Sequence, residues 1–232
     1  MPSDPRIRRA MEQAARVMND PQSATQALKA LTAGAVQAIP GADHASITTR
    51  HPNGELETVA ASDPLIEALD ARQFELREGP GYATATQETN TVSFDMERDA
   101  RWPRYGPIAA QAGVHAQLGV LLADDRSART ALNVYAAKPH HFDDASVEVA
   151  ELFASHAAVA MGFMKTVQSL GEAVTTRQVI GEAVGIVMER YQIDDERAFQ
   201  FLVRTSQHSN VKLREVAAQI VARHNSRHQP EQ

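Results

Sequence analysis

The sequence predicts an α+β domain followed by an all-α bundle of three helices, with one long helix joining them. Three observations support this fold class. Short stretches of alternating apolar and polar residues, with helical patterns between them, occupy most of the chain before residue 144. No proline interrupts the run from about Asp144 to Tyr191. Beyond it, two further runs carry apolar residues at spacings of three and four, as amphipathic helices do.

The α+β domain is predicted at residues 21–164, after an N-terminal helical segment at residues 1–20. An amphipathic helix over residues 24–39 leads to a β-hairpin with strands Asp43–Arg50 and Leu56–Ala61, and the turn residues Pro52, Asn53 and Gly54 lie between them. Further strands are predicted at 91–94, 117–123 and 130–136, and helical segments at 65–74 and 102–112. Few strands flanked by helices indicate an α+β sheet.

Several short motifs in this domain follow the pattern of one sensory family. They are Glu78-Gly79-Pro80-Gly81, Asp95, Arg101-Trp102-Pro103, Gly113, Leu121, Leu132-Asn133-Val134-Tyr135 and Phe142-Asp143. The domain resembles a GAF domain over most of its length, with Ala131 where relatives commonly carry glycine. The resemblance implies a pocket between the sheet and the segments 65–74 and 102–112, and it allows a small-molecule ligand without identifying one. The candidate wall residues are Phe74, Tyr82, Phe94, Trp102, Tyr105 and His115.

The residue types needed for metal, cofactor or catalytic chemistry do not cluster in the sequence. Without cysteine, the chain can neither attach a bilin through a thioether nor build a thiolate metal site. The adjacent His140 and His141 cannot converge on one metal ion from a single strand or helix. No nucleophile–base pair or phosphate-binding loop is recognisable. We therefore expect no metal, no cofactor and no enzymatic activity.

The last part of the chain, residues 165–226, carries three apolar stripes at helical spacing. The first includes Val174, Ile180, Ala183, Val184, Val187, Met188 and Tyr191, the second Ala198, Phe199, Leu202 and Val203, and the third Leu213, Val216, Ala217, Ile220 and Val221. We expect Asp194 to cap the start of the second helix and Asn210 the start of the third. Phe201 is placed at the periphery. Gly185, which costs about 1 kcal/mol within a helix, is attributed to close helix packing.

Residues across all three stripes match one family at the correct spacing. They are Arg177, Ile180, Ala183, Gly185-Ile186-Val187-Met188, Arg190, Ala198-Phe199, Leu202, Ser206, Asn210, Lys212-Leu213 and Val216-Ala217. This part of the chain resembles the ANTAR domain, an RNA-binding output module of bacterial antitermination regulators. It departs from the family at Gly181 and Val184, where relatives often carry longer polar side chains. The resemblance implies that two copies of the domain read the loops of paired RNA hairpins.

The predicted RNA-binding part of the chain, residues 165–226, is close to neutral in charge and not basic. From Lys165 onward nine Lys and Arg stand against eight Asp and Glu, whereas fourteen and twenty-one precede it, so the net charges are +1 and −7. Phosphate affinity scales with the number of cations engaged, so selectivity has to come from loop shape and unpaired bases. The candidate RNA-binding residues are Arg177, Arg190, Arg204, Ser206, Asn210, Lys212 and Arg214. Capping and turn chemistry are alternative roles for Ser206 and Asn210, and a helix C-terminus for Arg190.

The long helix carries a further stripe that predicts a coiled coil. Val167, Leu170, Val174, Arg177, Gly181, Val184, Met188 and Tyr191 follow one another at spacings of three and four. After Arg177, packing on the other two helices of the bundle explains the stripe better. The part from Val167 to Val174 has no other obvious partner in the chain, so we expect a homodimer joined through this helix.

Localisation and one alternative function complete the expectations. No apolar run approaches the length of a membrane span and the N-terminus lacks an apolar signal segment, so we expect a cytoplasmic protein. A DNA-binding transcription regulator with a ligand-sensing GAF domain stays open, because the last two helices could form a helix-turn-helix. Their connection is longer than the usual three or four residues, and the third helix carries Glu215 and Gln219 among few cations.

Overall fold

The structure, a computed structural model, describes residues 5, 7–9, 12, 24–87, 90–125 and 128–227, without the side chains at 24, 167, 168, 172 and 227. The chain divides into two compact units, with the boundary between Lys165 and Thr166. The predicted fold class, an α+β domain followed by a helical bundle and joined by a long helix, is confirmed. Most of the predicted segment 1–20 and the side chain of Val167 lie outside the described residues.

The first unit contains a five-stranded antiparallel sheet in the order β2-β1-β5-β4-β3. Its elements are α1 (Ala24–Ala38), β1 (His44–Arg50), β2 (Leu56–Ala61), α2 (Pro64–Leu76), α3 (Pro80–Thr86), β3 (Thr91–Ser93), α4 (Tyr105–Gln111), β4 (Ala116–Asp124), β5 (Arg129–Ala136) and the start of α5 (Asp144–Tyr191). All five strands were predicted within a residue or two. The short helix α3, which begins at a proline and contains glycine and two threonines, was not assigned from the sequence.

One face of this sheet is apolar and packs against α1 and α5. Ile47, Leu118 and Leu132 project from three neighbouring strands into this core, where Phe153 of α5 is also fully buried. Each such side chain contributes about 1.5–3 kcal/mol through burial. Ile7, from the predicted N-terminal helical segment, also has its side chain buried in this core.

The opposite face of the sheet is polar and is buried as well. Ser46, Gln117 and Asn133 project from β1, β4 and β5 toward the side covered by α2, α3 and α4, and all three are fully buried. Glycine at position 119 allows α3 to approach β4, because a Cβ there would lie 2.4 Å from Oγ1 of Thr84. The same side also holds a second apolar cluster, in which Ile66 and Met96 are fully buried, so hydrogen-bonded and apolar side chains share the space between the sheet and these helices.

Helix α5 is more apolar than expected, because no run of the sequence was expected to approach the length and hydropathy of a membrane span. This helix is 48 residues long, and an 18-residue window in it reaches a mean hydropathy of 1.3, enough in length and composition to cross a membrane. Core helices pass the same test, and in its first part Ala150, Phe153 and Ala157 are buried against the sheet. The window is therefore weak evidence for a membrane span.

The second unit consists of the end of α5 packed with α6 (Asp195–Ser209) and α7 (Leu213–Arg227). Its buried core is made by Ala183, Val187, Ala198, Leu202, Val216 and Ala217. The predicted cap at Asp194 is confirmed, because its Oδ1 accepts a hydrogen bond from the amide of Arg197 at 2.8 Å. Two acidic residues follow in the first turn of α6, where the helix dipole favours negative charge.

The predicted cap at Asn210 is wrong in position. Asn210 ends α6 in the left-handed region, with φ of 52°, and its amide donates to the carbonyl of Gln207. The next amide, of Val211, donates to the carbonyl of Ser206, which completes a Schellman-type helix end. Asparagine tolerates the left-handed conformation better than most residues, so the same side-chain type that favours helix starts here favours a helix end.

Two expectations about the core of the bundle are also corrected. Phe199, assigned to the apolar stripe, is 44% exposed, whereas Phe201, placed at the periphery, packs half-buried against the core. The stripe of α6 follows Ala198 and Leu202 and turns toward Phe201, which leaves Phe199 about 100° away from its centre. Gly185 is not in close packing, because among the described residues no atom outside the neighbouring backbone of its own helix lies within 4 Å of the position its Cβ would take.

Candidate nucleic-acid interface and candidate ligand site

The predicted RNA-binding cations are accessible. Exposed side chains are found at Arg177, Arg190, Arg204, Lys212 and Arg214. Lys212 immediately precedes α7. Its carbonyl oxygen accepts the first hydrogen bonds of that helix, from the amides of Glu215 at 2.8 Å and Val216 at 3.1 Å. Its backbone is therefore fixed by the helix start while its side chain is exposed.

The two polar candidates, Ser206 and Asn210, have different structural roles in the turn between α6 and α7. The hydroxyl of Ser206 donates to the carbonyl of Val211 at 2.6 Å, so this side chain closes the turn between α6 and α7. Asn210 holds the same turn through its backbone, and its side chain is exposed. The turn alternative therefore accounts for Ser206, whereas the side chain of Asn210 stays accessible for contact.

An open groove of about 630 Å³ lies between the end of α5, α6 and α7. The rings of Tyr191 and Phe201 meet at its edge, with centroids 5.4 Å apart and planes tilted by 39°. The guanidinium carbon of Arg190 lies 5.9 Å from the centroid of the Tyr191 ring, and Arg223 of α7 lines the same groove. Of these four residues only Arg190 was predicted as a functional residue.

The buried polar side chains of the first unit form a continuous hydrogen-bond network. Tyr135 donates to the carboxylate of Asp70, and Thr58 donates to the same carboxylate at 3.1 Å. Gln73 donates to Asp70 at 3.2 Å and accepts hydrogen bonds from the amide of Gly81 at 2.9 Å and the side chain of Gln117 at 3.2 Å. The network therefore joins α2, α3, β2, β4 and β5.

Two further buried side chains extend this network. Tyr105 of α4 donates to Gln117 Oε1 at 3.2 Å. The amide of Asn133 donates to the hydroxyls of Ser46 and Thr48, each at 3.2 Å. Its own Oδ1, like Oγ1 of Thr84 on the facing helix, is buried and has no hydrogen-bond partner within the part of the chain that the structure describes. The network thus holds spare hydrogen-bonding capacity at the junction of β5 with α3.

Burial shifts the proton affinity of this network. Burial raises the pKa of Asp70 from 3.8 to about 6, although hydrogen bonds from Tyr135 and Thr58 oppose the shift. Burial and the nearby Asp70 raise the pKa of Tyr105 and of Tyr135 well above 10. The carboxyl group of Asp70 is therefore buried, and its raised pKa means that it holds its proton more tightly than an exposed aspartate.

The predicted wall of the ligand site is only partly assembled. Among the six predicted residues, Tyr105 alone belongs to the network. Phe94 is 38% exposed, and Phe74, Tyr82, Trp102 and His115 are half-buried. Within the described residues, no group of His, Asp or Glu is placed to hold a metal ion. Tyr105 is fully buried in the apolar cluster on this side of the sheet and Trp102 packs against that cluster, so these two predicted wall residues lie beside the polar network.

The sequence contained a signal for these polar groups. In β4, Gln117 and Gly119 alternate with Leu118 and Val120, which is the pattern of a strand with one apolar face. Alternation is ordinarily taken to mean that the polar face meets solvent, and here that face is covered by helices. A polar face on a central strand of a domain rich in helices was the clue to the buried network.

Comparison with known proteins defines both units. The sequence profile of the GAF domain matches residues 21–162, and that of the ANTAR domain matches residues 168–221. The GAF domain of a phosphoenolpyruvate-protein phosphotransferase from Coxiella burnetii is 18% identical, with a TM-score of 0.50 over 72% of this chain and 96% of that one. The equivalent domain from Acinetobacter is 15% identical, with a TM-score of 0.50 over 70% and 97%.

A third similar structure is CepR2 from Burkholderia cenocepacia, an N-acylhomoserine lactone dependent LuxR family transcription factor. It is 14% identical, with a TM-score of 0.52 over 67% of this chain and 94% of that one. Identities this low show a shared fold and nothing more. No curated protein sequence matches the chain.

The two profile matches follow one another along the chain, and the first covers more than half of its 232 residues. The described fold agrees with them, since an antiparallel sheet with helices on both faces precedes a helical unit. The chain therefore belongs to the GAF–ANTAR family, in which a signal-sensing GAF domain is followed by the RNA-binding ANTAR domain of antitermination regulators.

Proposed function

We propose that this protein is a cytoplasmic, signal-responsive transcription antitermination regulator that acts as a homodimer and recognises paired hairpin loops in nascent RNA. The ANTAR domain supports the RNA-binding part of this proposal, and the GAF domain supports the sensory part. The dimer rests on one observation, a stripe of exposed apolar residues along α5. Catalysis has no part in the proposal.

The stripe runs along α5 on both sides of residue 165. Val159 is 75% exposed, Phe163 67%, Leu170 63% and Val174 67%. Their spacings of four, seven and four keep them near one face of the helix, as in a coiled-coil seam. Large apolar side chains exposed in a row are unusual for a monomer and typical of a surface that pairs. A second copy of α5 presents a matching stripe.

The dimer is tested by placing charge on the stripe. We expect the double substitution Leu170→Asp and Val174→Asp to give monomers in light scattering, because two like charges would face each other across the seam. The matched control is Ser169→Asp with Ala173→Asp, which adds the same charges to exposed positions one residue earlier on α5. A dimer that survives the first variant would place the interface elsewhere.

Pairing also predicts the RNA affinity. Two linked domains bind a two-hairpin RNA with an effective-concentration advantage of about 10²- to 10⁴-fold, and a monomer loses it. In filter binding, the Leu170→Asp and Val174→Asp variant should therefore bind the two-hairpin RNA no better than a single hairpin. Wild type and the control variant should prefer the two-hairpin RNA.

The same filter-binding assay distinguishes the proposed RNA-binding regulator from the alternative, a DNA-binding regulator. The connection between α6 and α7 is closed by the hydroxyl of Ser206, and both Lys212 and Arg214 are exposed near the start of α7. These groups suit a single-stranded loop as well as a phosphate backbone. Preference for duplex DNA over the two-hairpin RNA at equal salt would support the alternative and contradict the proposed RNA function.

A further inference from the structure

The groove between the end of α5, α6 and α7 combines an apolar floor with an aromatic and cationic rim. Val187 and Val216 at its floor are almost completely buried. Tyr191 at the rim is 52% exposed, although its ring packs on Phe201. Part of the Tyr191 ring is therefore accessible to a ligand that enters the groove.

Charged groups surround this aromatic surface. Arg190 and Arg223 line the groove together with Glu189 and His224. The Arg190 guanidinium carbon lies 5.9 Å from the centroid of the Tyr191 ring, a cation–π distance that keeps a positive charge beside the exposed ring. Thr205 and Gln219 add polar groups that can donate and accept hydrogen bonds.

A nucleobase has the chemistry that this lining complements. Its faces are flat and stack on aromatic rings, its edges carry donors and acceptors, and its flanking phosphates are negative. The groove volume of about 630 Å³ lies within the ~300–1,000 Å³ of small-ligand sites.

We propose that one unpaired base of the RNA loop enters this groove and stacks against Tyr191, while Arg190 and Arg223 contact the phosphates beside it. This inference deepens the proposed RNA function and rests on it. It assigns roles to Tyr191 and Arg223, neither of which is among the RNA-binding residues predicted from the sequence. It also gives Arg190 a role as a contact to RNA beyond its place at a helix C-terminus.

Stacking is tested by a pair of substitutions at one position. Tyr191→Phe keeps the ring and should bind the two-hairpin RNA within about threefold of wild type. Tyr191→Ala removes the ring and should lower affinity by roughly 10- to 100-fold, as the loss of one base–aromatic stack does. Circular dichroism and thermal melting establish that each variant is folded. Equal affinity of a folded Tyr191→Ala variant and wild type would overturn the proposal.

A fluorescent base locates the contact directly. With 2-aminopurine placed in turn at each loop position, the position that enters the groove should lose fluorescence on binding wild type and Tyr191→Phe but keep it with Tyr191→Ala. Arg223→Gln should reduce the salt slope of binding by about one, since one phosphate contact is removed. Quenching at no loop position, or quenching that Tyr191→Ala leaves intact, would exclude base insertion here.

Failure of this inference is distinguishable from failure of the RNA function. If wild type does not bind the two-hairpin RNA, the proposed function itself is wrong. If wild type binds and Tyr191→Ala binds equally, RNA recognition stands and the groove is excluded as its site. If Tyr191→Ala instead changes the mass in light scattering while RNA affinity per dimer stays constant, the groove belongs to a protein interface and the base-binding proposal is overturned.

Discussion

At the scale of single residues, Asp70 links folding of the GAF domain to pH. Burial raises the pKa of its carboxyl group from 3.8, the value in the unfolded chain, to about 6 in the folded protein. Folding therefore favours the protonated form. The stabilisation from this group is complete below about pH 4 and is lost as the pH rises through 6. The whole difference is worth about 3 kcal/mol.

The substitution Asp70→Asn tests this linkage. We expect it to remove the fall in the free energy of unfolding between about pH 4 and pH 7 that Asp70 causes in wild type, measured by urea denaturation at several pH values. Glu55→Gln, in the exposed turn between β1 and β2, removes a carboxylate without entering the network. Identical pH profiles for wild type and Asp70→Asn would contradict the assignment.

Replacing Gly185 with alanine is expected to stabilise the protein, whereas most substitutions destabilise a protein. Among the described residues, no atom outside the neighbouring backbone of the same helix lies within 4 Å of the Gly185 Cβ position, and Gly185 lies within a regular helix. Gly185→Ala should therefore raise the free energy of unfolding by up to about 1 kcal/mol, because alanine has the higher helix propensity. Gly119→Ala serves as the contrasting control, since its Cβ would lie 2.4 Å from Thr84 Oγ1 and should destabilise the protein. Chemical denaturation measures both changes.

At the scale of elements, the start of α7 is predicted to be part of the RNA-reading surface. Substituting Lys212 and Arg214 with alanine should weaken RNA binding by roughly 1–3 kcal/mol and flatten its salt dependence, with little change in melting temperature. Removing the same charge from the GAF domain, with Lys29→Ala and Arg50→Ala, should leave the salt slope unchanged. An unaltered slope in the folded Lys212 and Arg214 variant would leave Arg177 and Arg190 as the next candidates.

Elements were predictable from the sequence where local pattern and tertiary packing agree. The five strands, the cap at Asp194 and most of the bundle core follow from periodicity and side-chain chemistry. The end of α6 did not, because asparagine suits both a helix start and a left-handed helix end. Phe199 and Phe201 were exchanged because both lie beside the stripe through Ala198 and Leu202, and only packing against Tyr191 selects Phe201.

The candidate site was less predictable than the fold. Exposed arginines and lysines could be found by charge, but the aromatic rim of the groove joins residues from two helices, ten positions apart. The buried network joins residues from several elements up to 89 positions apart, such as Ser46 and Tyr135. Pairings at that separation depend on the register of the sheet, which no local pattern contains.

At the scale of the whole molecule, the continuity of α5 predicts how a signal would be transmitted. We propose that the GAF domain biases the orientation of this helix, and a ligand does so only through different affinities for two states. Each inserted residue rotates one end of a helix by about 100° relative to the other. Two residues inserted after Gly171 should therefore uncouple the units, and seven should nearly preserve the phase.

The readout of these insertions is RNA affinity in the full chain, with light scattering to follow the dimer. We expect the seven-residue insertion to keep dimerisation and RNA affinity close to wild type, and the two-residue insertion to impair both. Equal behaviour of the two variants would mean that α5 acts as a tether, with no rotational coupling between the domains.

The two faces of the GAF sheet, one lined by apolar side chains and one by the hydrogen-bond network, differ in how their residues can change over time. On the apolar face, a volume-conserving exchange at Leu118 or Leu132 costs less than about 1.5 kcal/mol, so such positions can drift one at a time. On the polar face, losing one partner leaves another buried group unsatisfied, at about 1–3 kcal/mol. Gln73 and Gln117 should therefore change together, so that sequence variation in relatives is independent on one face and correlated on the other.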